Sequence, residues 1–189
     1  MKTKNDIDMT TTSARAEAGA PGLSAADEWW PVETPVGRLV LAGDDKALHF
    51  LCLPQDQRRE SFLTQVARRG RPTSVAKAEE QLQAYFAGEL REFDLPLAPR
   101  GTPWQQNVWS TLTKIPFAET RSYGEVAREA GNPRASRAVG SANNRNPIAL
   151  IIPCHRVIGA DGSLTGYGGG LALKEQLLRH EREVLHRSG

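Results

Sequence analysis

The run Phe93-Asp94-Leu95-Pro96-Leu97-Ala98-Pro99-Arg100-Gly101-Thr102-Pro103 splits the chain into two unlike halves. Its prolines remove backbone donors and lock φ, so no helix crosses it. It reads as a linker, and 189 residues leave room for a small domain on each side. Upstream, Trp30–Thr34, Gly37–Ala42 and Ala47–Leu53 read as three short strands. They are separated by the turn-like Thr34-Pro35-Val36-Gly37 and Gly43-Asp44-Asp45-Lys46, which predicts an antiparallel meander. Two helices are expected next. Arg59–Arg69 carries Phe62, Leu63 and Val66 on one face, and Ser74–Phe86 has Ser74 as its N-cap and Gly88 as its stop. Downstream the pattern is helical, over Trp104–Ile115, Tyr123–Ala130, Pro133–Asn144 and Leu171–Leu185. Residues 1–27 have no period and are rich in Thr, Ala, Ser, Gly and charge, so they read as a disordered tail. The expected organisation is that tail, an α/β domain over 28–100, and a mostly α domain over 101–189.

Composition removes several classes of function. No apolar run reaches the length of a membrane-spanning helix. No apolar stretch follows Lys2 and Lys4, so no signal peptide is expected. Two cysteines far apart argue against a disulfide framework, for a reducing compartment, and against any zinc spacing. Cys52 alternates with Leu48 and Phe50 on one face and reads as a core thiol. Net charge is only +2, but Arg121 to Arg156 holds six arginines, no lysine and two acids. A local basic patch of that kind is the footprint of a nucleic-acid partner.

Cys154 follows Ile151-Ile152-Pro153 and precedes His155-Arg156. A thiol attacks only as thiolate, and cationic neighbours favour that form. The competing reading is a small buried hydrophobe. Glu181 sits within an apolar stripe of Leu177, Leu178, Val184 and Leu185, where a carboxylate is costly unless paired. It orients a histidine, as in a nucleophile–base–orienter set, or it pairs structurally with an arginine. The helices Tyr123–Ala130 and Pro133–Asn144 meet at Gly131-Asn132-Pro133 and read as a helix-turn-helix. In the second, Ala135, Ala138, Val139 and Ala142 face inward, while Arg134, Arg137, Ser141 and Arg145 form a separate face suited to a DNA groove. The Gly-rich run 166–170 lacks the strand context of a dinucleotide fingerprint.

Taken together, these residues resemble the DNA-repair alkyltransferases that move alkyl groups from the O6 position of guanine onto their own cysteine, the methylated-DNA–protein-cysteine methyltransferase family. Pro153-Cys154-His155-Arg156-Val157 looks like its active-site signature, and Asn132 to Gly140 like its recognition helix. Asn146-Pro147, Tyr167, Gly169 to Ala172 and Lys174-Glu175 through Glu181 complete the likeness. It is strong from Gly101 to Glu181, weaker from Pro31 to Leu95, and absent over residues 1–27. The resemblance implies a ribonuclease-H-like α/β domain with a three-stranded antiparallel sheet. It implies a winged-helix-like, mostly α second domain.

The resemblance also implies roles. Cys154 accepts the alkyl group, His155 takes the thiol proton through a water, Glu181 orients and charges His155, and Asn146 holds the hinge. Tyr123 rotates the phosphate and donates toward the base, and Arg137 intercalates where the flipped base had been. Gly124, Asn132, Arg134 and Ser141 lie with them on the DNA, in the minor groove. Tyr123, Val157, Ile158, Tyr167 and Gly168 shape the guanine pocket. Because a thioether is stable, the protein acts once, without a cofactor or metal. The partner is duplex DNA carrying alkylated guanine, met by a cytoplasmic monomer, nucleoid-associated if the source is bacterial, with cooperativity on DNA and activity on O4-alkylthymine left open. Trp104 stands where Phe is expected, and Gly168 stands where the family often has Ser. No fused phosphotriester-sensing or regulatory segment is expected. A lesion sensor without chemistry and a plain sequence-specific regulator are the competing readings.

Overall fold

A computed structural model of the chain describes residues 27–56 and 70–187. The expected tail up to residue 26 and the expected helix over Arg59–Arg69 lie outside the described residues. Three strands, β1 (Glu28–Thr34), β2 (Gly37–Gly43) and β3 (Leu48–Cys52), form an antiparallel sheet in the order β1-β2-β3. The β1–β2 turn closes on Gly37, whose φ of 103° suits glycine. Thr34 Oγ1 donates to Gly37 O at 2.7 Å across the same turn. Leu39, Leu41 and Leu51 face the main core, while Val40, Ala42, Phe50 and Cys52 form a second cluster with Trp29. Cys52 is a fully buried core thiol, as expected. Leu48, however, leaves the Cys52 face for the main core, because the pairing slips between Ala42 and Gly43 and one residue shifts the whole pattern.

Asp27 belongs to the fold rather than to a tail, being buried with its Oδ1 2.7 Å from His49 Nδ1. Asp44 completes a group whose ligating atoms lie within 4.8 Å of one another. Asp44 Oδ1 already accepts from Lys46 N and Ala47 N, so the group works as a fastening between turn and strand.

Helix α1 (Thr73–Ala87) covers the sheet with Val75, Ala78, Leu82 and Tyr85, spaced three and four apart. Ser74 is not its N-cap. Asp45 Oδ1 accepts from Thr73 N at 2.9 Å, so the cap comes from another segment, and Ser74 Oγ donates to Asp44 O at 2.6 Å. Gly88 stops the helix in the left-handed region, at φ 81°. The linker is pinned from Asp94 to Ala98. Asp94 N donates to Gln81 Oε1 at 2.8 Å, Leu48 N donates to Pro96 O at 2.9 Å, and Ala98 N donates to Leu48 O at 2.9 Å.

The second half holds α2 (Pro103–Leu112), β4 (Arg121–Ser122), α3 (Tyr123–Glu129), α4 (Ser136–Asn144), β5 (Val157–Ile158) and α5 (Leu171–Arg187). Capping boxes at Thr102/Gln105 and Ser122/Glu125 fix the starts of α2 and α3. Helix α4 begins at Ser136 and not at Pro133. Asn132 Oδ1 accepts from Arg134 N at 3.3 Å and Ala135 N donates to Asn132 O at 3.0 Å, so Asn132 makes a local turn instead of a cap. On α4, Val139 and Ala142 are buried as expected, but Ala138 is exposed and Asn143 is buried. On α5, Leu177, Leu178, Glu181 and Val184 are buried, whereas Leu185 lies outside the stripe, 45% exposed.

One continuous core joins the halves. Leu39, Leu51 and Leu82 share it with Trp109, Leu112, Val126, Ile148 and Leu177. Leu51 N also donates to Pro147 O at 2.8 Å, so β3 supports the segment that leads into Cys154. Among the described residues, no helix is long and apolar enough to cross a membrane.

Candidate active site

Asn146 organises the approach to Cys154. Its Oδ1 accepts from Ile148 N at 3.0 Å, and its Nδ2 donates to Ile152 O at 2.8 Å and to Cys154 Sγ at 3.1 Å. One buried amide therefore closes the loop 146–152 and touches the sulfur. The loop is tight enough to put Leu150 at φ 74°, a costly conformation for a residue with a Cβ. Pro153 then leads into a 3₁₀ turn, Cys154–Arg156. Successive side chains on such a turn fan out by a third of a rotation, unlike those of a strand. This explains how Cys154, His155 and Arg156 are all buried, at 4%, 0% and 6% exposure.

Glu181 on α5 is fully buried and gathers donors from four directions. His155 Nε2 lies 2.8 Å from Oε1, Tyr85 Oη donates to Oε1 at 2.8 Å, and Ala118 N donates to Oε2 at 3.0 Å. Arg156 reaches it through Nε at 3.1 Å and Nη2 at 2.9 Å, and its Nη1 donates to Ile115 O at 2.6 Å. The two roles open from sequence, orienting a histidine and pairing with an arginine, are met by one carboxylate.

The charges follow from these contacts. Burial works against the Glu181 anion, but the His155 hydrogen bond and the bonds and charge of Arg156 outweigh it, holding the carboxyl far below the usual carboxylate range. Burial pushes the His155 imidazole down, and this outweighs the bond and charge of Glu181. The resting histidine is therefore neutral. With its Nε2–H given to Glu181, Nδ1 is left as a basic atom, buried and without a hydrogen-bond partner among the described residues. Burial also brings Lys174 down to about 8, against the attraction of Cys154. Lys174 is fully buried, and its Nζ donates to Thr165 O at 2.7 Å and to Val157 O. Its ammonium and a Cys154 thiolate attract one another.

The pocket candidates divide. Tyr123 opens α3, and its Oη donates to Thr165 O at 3.1 Å, with Lys174 Nζ 6.0 Å from its ring centre. Tyr167 packs on the core with its hydroxyl buried and without a hydrogen-bond partner among the described residues. Burial raises that hydroxyl well above its usual pKa, and the charges of Cys154 and Glu181 act in the same direction. Val157 is buried, and a Cβ on Gly168 would meet nothing within 4 Å. Ile158 instead lines a surface depression with Thr120, Ser122, Glu125 and Arg128. The groove candidates Asn132, Arg134, Arg137 and Ser141 are all exposed, as is Arg145, while Gly124 is half-buried. Among the described residues, Arg134, Arg137 and Arg145 make no ion pair, which leaves their guanidinium groups available to phosphates.

The sequence missed three groups. Tyr85 lies 96 residues from Glu181 in the chain, and its apolar spacing on α1 hides the hydroxyl. Lys174 entered only as part of the C-terminal likeness, with no role of its own. Ala118 is read only through its backbone, at φ 62°. The one available signal was Glu181 itself, since a buried carboxylate demands several donors.

Two family models match, together spanning most of the chain: the 6-O-methylguanine DNA methyltransferase ribonuclease-like domain over residues 31–99, and the DNA binding domain of the same family over residues 103–183. The chain is similar to the methylated-DNA–protein-cysteine methyltransferase of Methanosarcina acetivorans, 51% identical over 79% of this chain and 94% of that one. It is 54% identical to the enzyme of the same name from Mycolicibacterium paratuberculosis, over 82% of this chain and 92% of that one. Among solved structures, Mycobacterium tuberculosis OGT in complex with DNA aligns with a TM-score of 0.75 at 47% identity, covering 83% of this chain and 94% of that chain.

Proposed function

The chain belongs to the 6-O-methylguanine DNA methyltransferase family, and from that membership we propose how its own residues move an alkyl group from damaged DNA to Cys154. It is a DNA-repair enzyme that transfers the alkyl group from DNA to cysteine. The substrate is duplex DNA carrying guanine alkylated at O6. The target atom lies within the base stack, so the nucleotide is extruded before reaction. Arg134 and Arg137 grip the backbone with Asn132, Gly124 and Ser141, and Arg137 fills the space the base leaves.

The thiol proton passes to His155 Nδ1 through a water, and Glu181 stabilises the imidazolium as it forms. Cys154 Sγ attacks the alkyl carbon, a sulfur–carbon bond forms, and the carbon–O6 bond breaks. The electron pair stays on the purine, toward which Tyr123 donates a proton. Lys174 favours the thiolate, and Asn146 aims it. Tyr167, Val157 and Gly168 enclose the base, and the open space at Gly168 leaves room beside it. The thioether does not reverse, so each chain reacts once. The observation that carries this reading is the buried Cys154 sulfur, 3.1 Å from the Asn146 amide and next in sequence to a histidine held 2.8 Å from Glu181.

Intact-mass measurement after mixing the protein with duplex DNA bearing one O6-methylguanine tests the reading. The expected result is a stoichiometric gain of one methylene, mapped to Cys154. Tight binding to the damaged duplex with no mass gain would replace this reading with that of a lesion sensor.

Arg137→Ala is expected to slow repair of duplex by about tenfold or more, the loss that goes with one or two kcal/mol of contact. Reaction with the free O6-alkylguanine base should stay within about twofold of the parent, since a free base needs no extrusion. Single-turnover rates on the two substrates decide the point, and equal losses would remove Arg137 from base extrusion.

A further inference from the structure

We infer that Tyr85, on the first half of the chain, is a positioning residue for the reaction carried out by the second half: its hydroxyl holds the Glu181 carboxylate where that carboxylate orients His155. The inference rests on the reading of His155 and Glu181 as base and orienter given above. Tyr85 Oη donates to Glu181 Oε1 at 2.8 Å, and this is the same oxygen that lies 2.8 Å from His155 Nε2. Both groups are buried, so no solvent competes for the bond.

The ring has little freedom to move the hydroxyl elsewhere. It is enclosed by Phe86 at 5.1 Å, Phe93 at 5.4 Å, Phe117 at 6.0 Å and His180 at 5.2 Å between ring centres. His180 Nε2 lies 2.9 Å from Tyr85 O, which fastens the backbone of α1 to α5 beside Glu181. Burial, reinforced by the Glu181 charge, keeps the hydroxyl protonated, so toward Glu181 it acts as a donor. Glu181 already has donors in Arg156 and Ala118 N. The tyrosine therefore sets where the charge sits on the carboxylate, and Glu181 does not depend on it for being ionised.

The consequence has a sign. A donor on Oε1 draws off part of the negative charge that His155 would otherwise feel. Removing it lets Glu181 hold the imidazolium more strongly and raises the proton affinity of His155. The neutral, working form then disappears at a higher pH. The other titratable groups around the pair are Cys154 and Arg156 on the 3₁₀ turn, Lys174 and His180 on α5, and Tyr167 on the loop between them. None of these changes in a Tyr85→Phe protein.

The experiment measures the pH profile of the single-turnover rate on O6-methylguanine duplex for the full chain, Tyr85→Phe, Phe86→Leu and His155→Ala. Tyr85→Phe is expected to move the acid limb of the profile to higher pH and to slow transfer at neutral pH by roughly tenfold, the usual loss for one hydrogen bond to a charged group. Affinity for undamaged duplex should stay within about twofold. Phe86→Leu disturbs the same packing without touching the hydroxyl, and should lower the melting temperature while leaving the profile in place. A Tyr85→Phe profile that overlays the parent, with a melting loss like that of Phe86→Leu, overturns the inference and leaves Tyr85 as packing alone. Full transfer by His155→Ala would overturn the underlying reading instead, so the two failures are distinguishable. If Tyr85→Phe does not fold, 3-fluorotyrosine placed at position 85 keeps the shape and strengthens the donor. It should shift the acid limb to lower pH, and an unmoved limb would equally overturn the inference.

Discussion

Cys154→Ala is expected to abolish alkyl transfer completely while binding to damaged duplex stays within about twofold of the parent. Cys154 opens the 3₁₀ turn with 4% of its surface exposed, and it forms no part of the arginine face of α4. Removing it takes away one small buried group, with an expected stability loss of about 1 kcal/mol, at the mild end of core truncations. Asn146 Nδ2 keeps its bond to Ile152 O, so the loop retains its closure. No other thiol takes over. Cys52 is fully buried in the second cluster, and its Sγ donates to Leu53 O at 3.5 Å. The check is an intact mass after incubation with O6-methylguanine duplex, beside a binding titration on the same DNA. An adduct in the alanine protein, mapped anywhere, would remove Cys154 as acceptor.

Glu181→Gln is expected to be costly twice over. Transfer should slow by roughly two orders of magnitude, the range over which a positioned general base contributes. The neutral amide no longer stabilises the imidazolium that forms as the thiol is deprotonated. Stability should fall by about 3–5 kcal/mol, the usual loss when one partner of a buried ion pair is removed. The cause is visible in the donor list. Tyr85 Oη, His155 Nε2, Arg156 Nε and Nη2, and Ala118 N converge on two carboxylate oxygens. An amide offers one oxygen and an NH2 group, so at least one of these donors meets another donor. Urea midpoints and single-turnover rates read the two losses separately.

The acid profile of stability supplies a further mark of the same change. The native Glu181 pKa is depressed, so its contribution is fully present above the ordinary carboxylate range and is lost as pH falls from there toward the native value. His155 is also depressed, so the unfolded chain takes up a proton that the native protein refuses, and stability declines as pH falls below the ordinary imidazole range. In Glu181→Gln the lower of these two declines should vanish.

Much of the site was legible because it rests on local pattern. Cys154, His155 and Arg156 are consecutive, and Glu181 betrays itself by interrupting an apolar stripe. Gly88 stops its helix where the sequence places the stop. What escaped depends on contacts between distant segments. Ser74 lost its expected capping role because Asp45, on a turn 28 residues earlier, reached Thr73 first. Asn132 satisfied its side chain in a local turn, which delayed α4 to Ser136. Ala138 fitted the helical period but found no partner surface, and Leu185 likewise faces outward. Tyr85 could not be tied to Glu181 from spacing, because both lie on helices whose crossing is a tertiary fact. Periodicity tells which face is buried and says nothing of what it is buried against.

The pinned linker has a consequence for how the chain meets proteases. A proline-rich joint between two halves is the usual place for a nick, because cleavage needs an extended segment free to enter the protease. Here the Asp94 amide is held by Gln81, and Pro96 O and Ala98 N are both taken by Leu48. Leu48 is in turn buried in the core that both halves share. The joint cannot be released without pulling on β3, and β3 cannot leave without opening that core. Susceptibility at 94–98 therefore follows the population of globally opened molecules, not local fraying. The stretch that looks weakest in the sequence serves as a gauge of the whole molecule's stability.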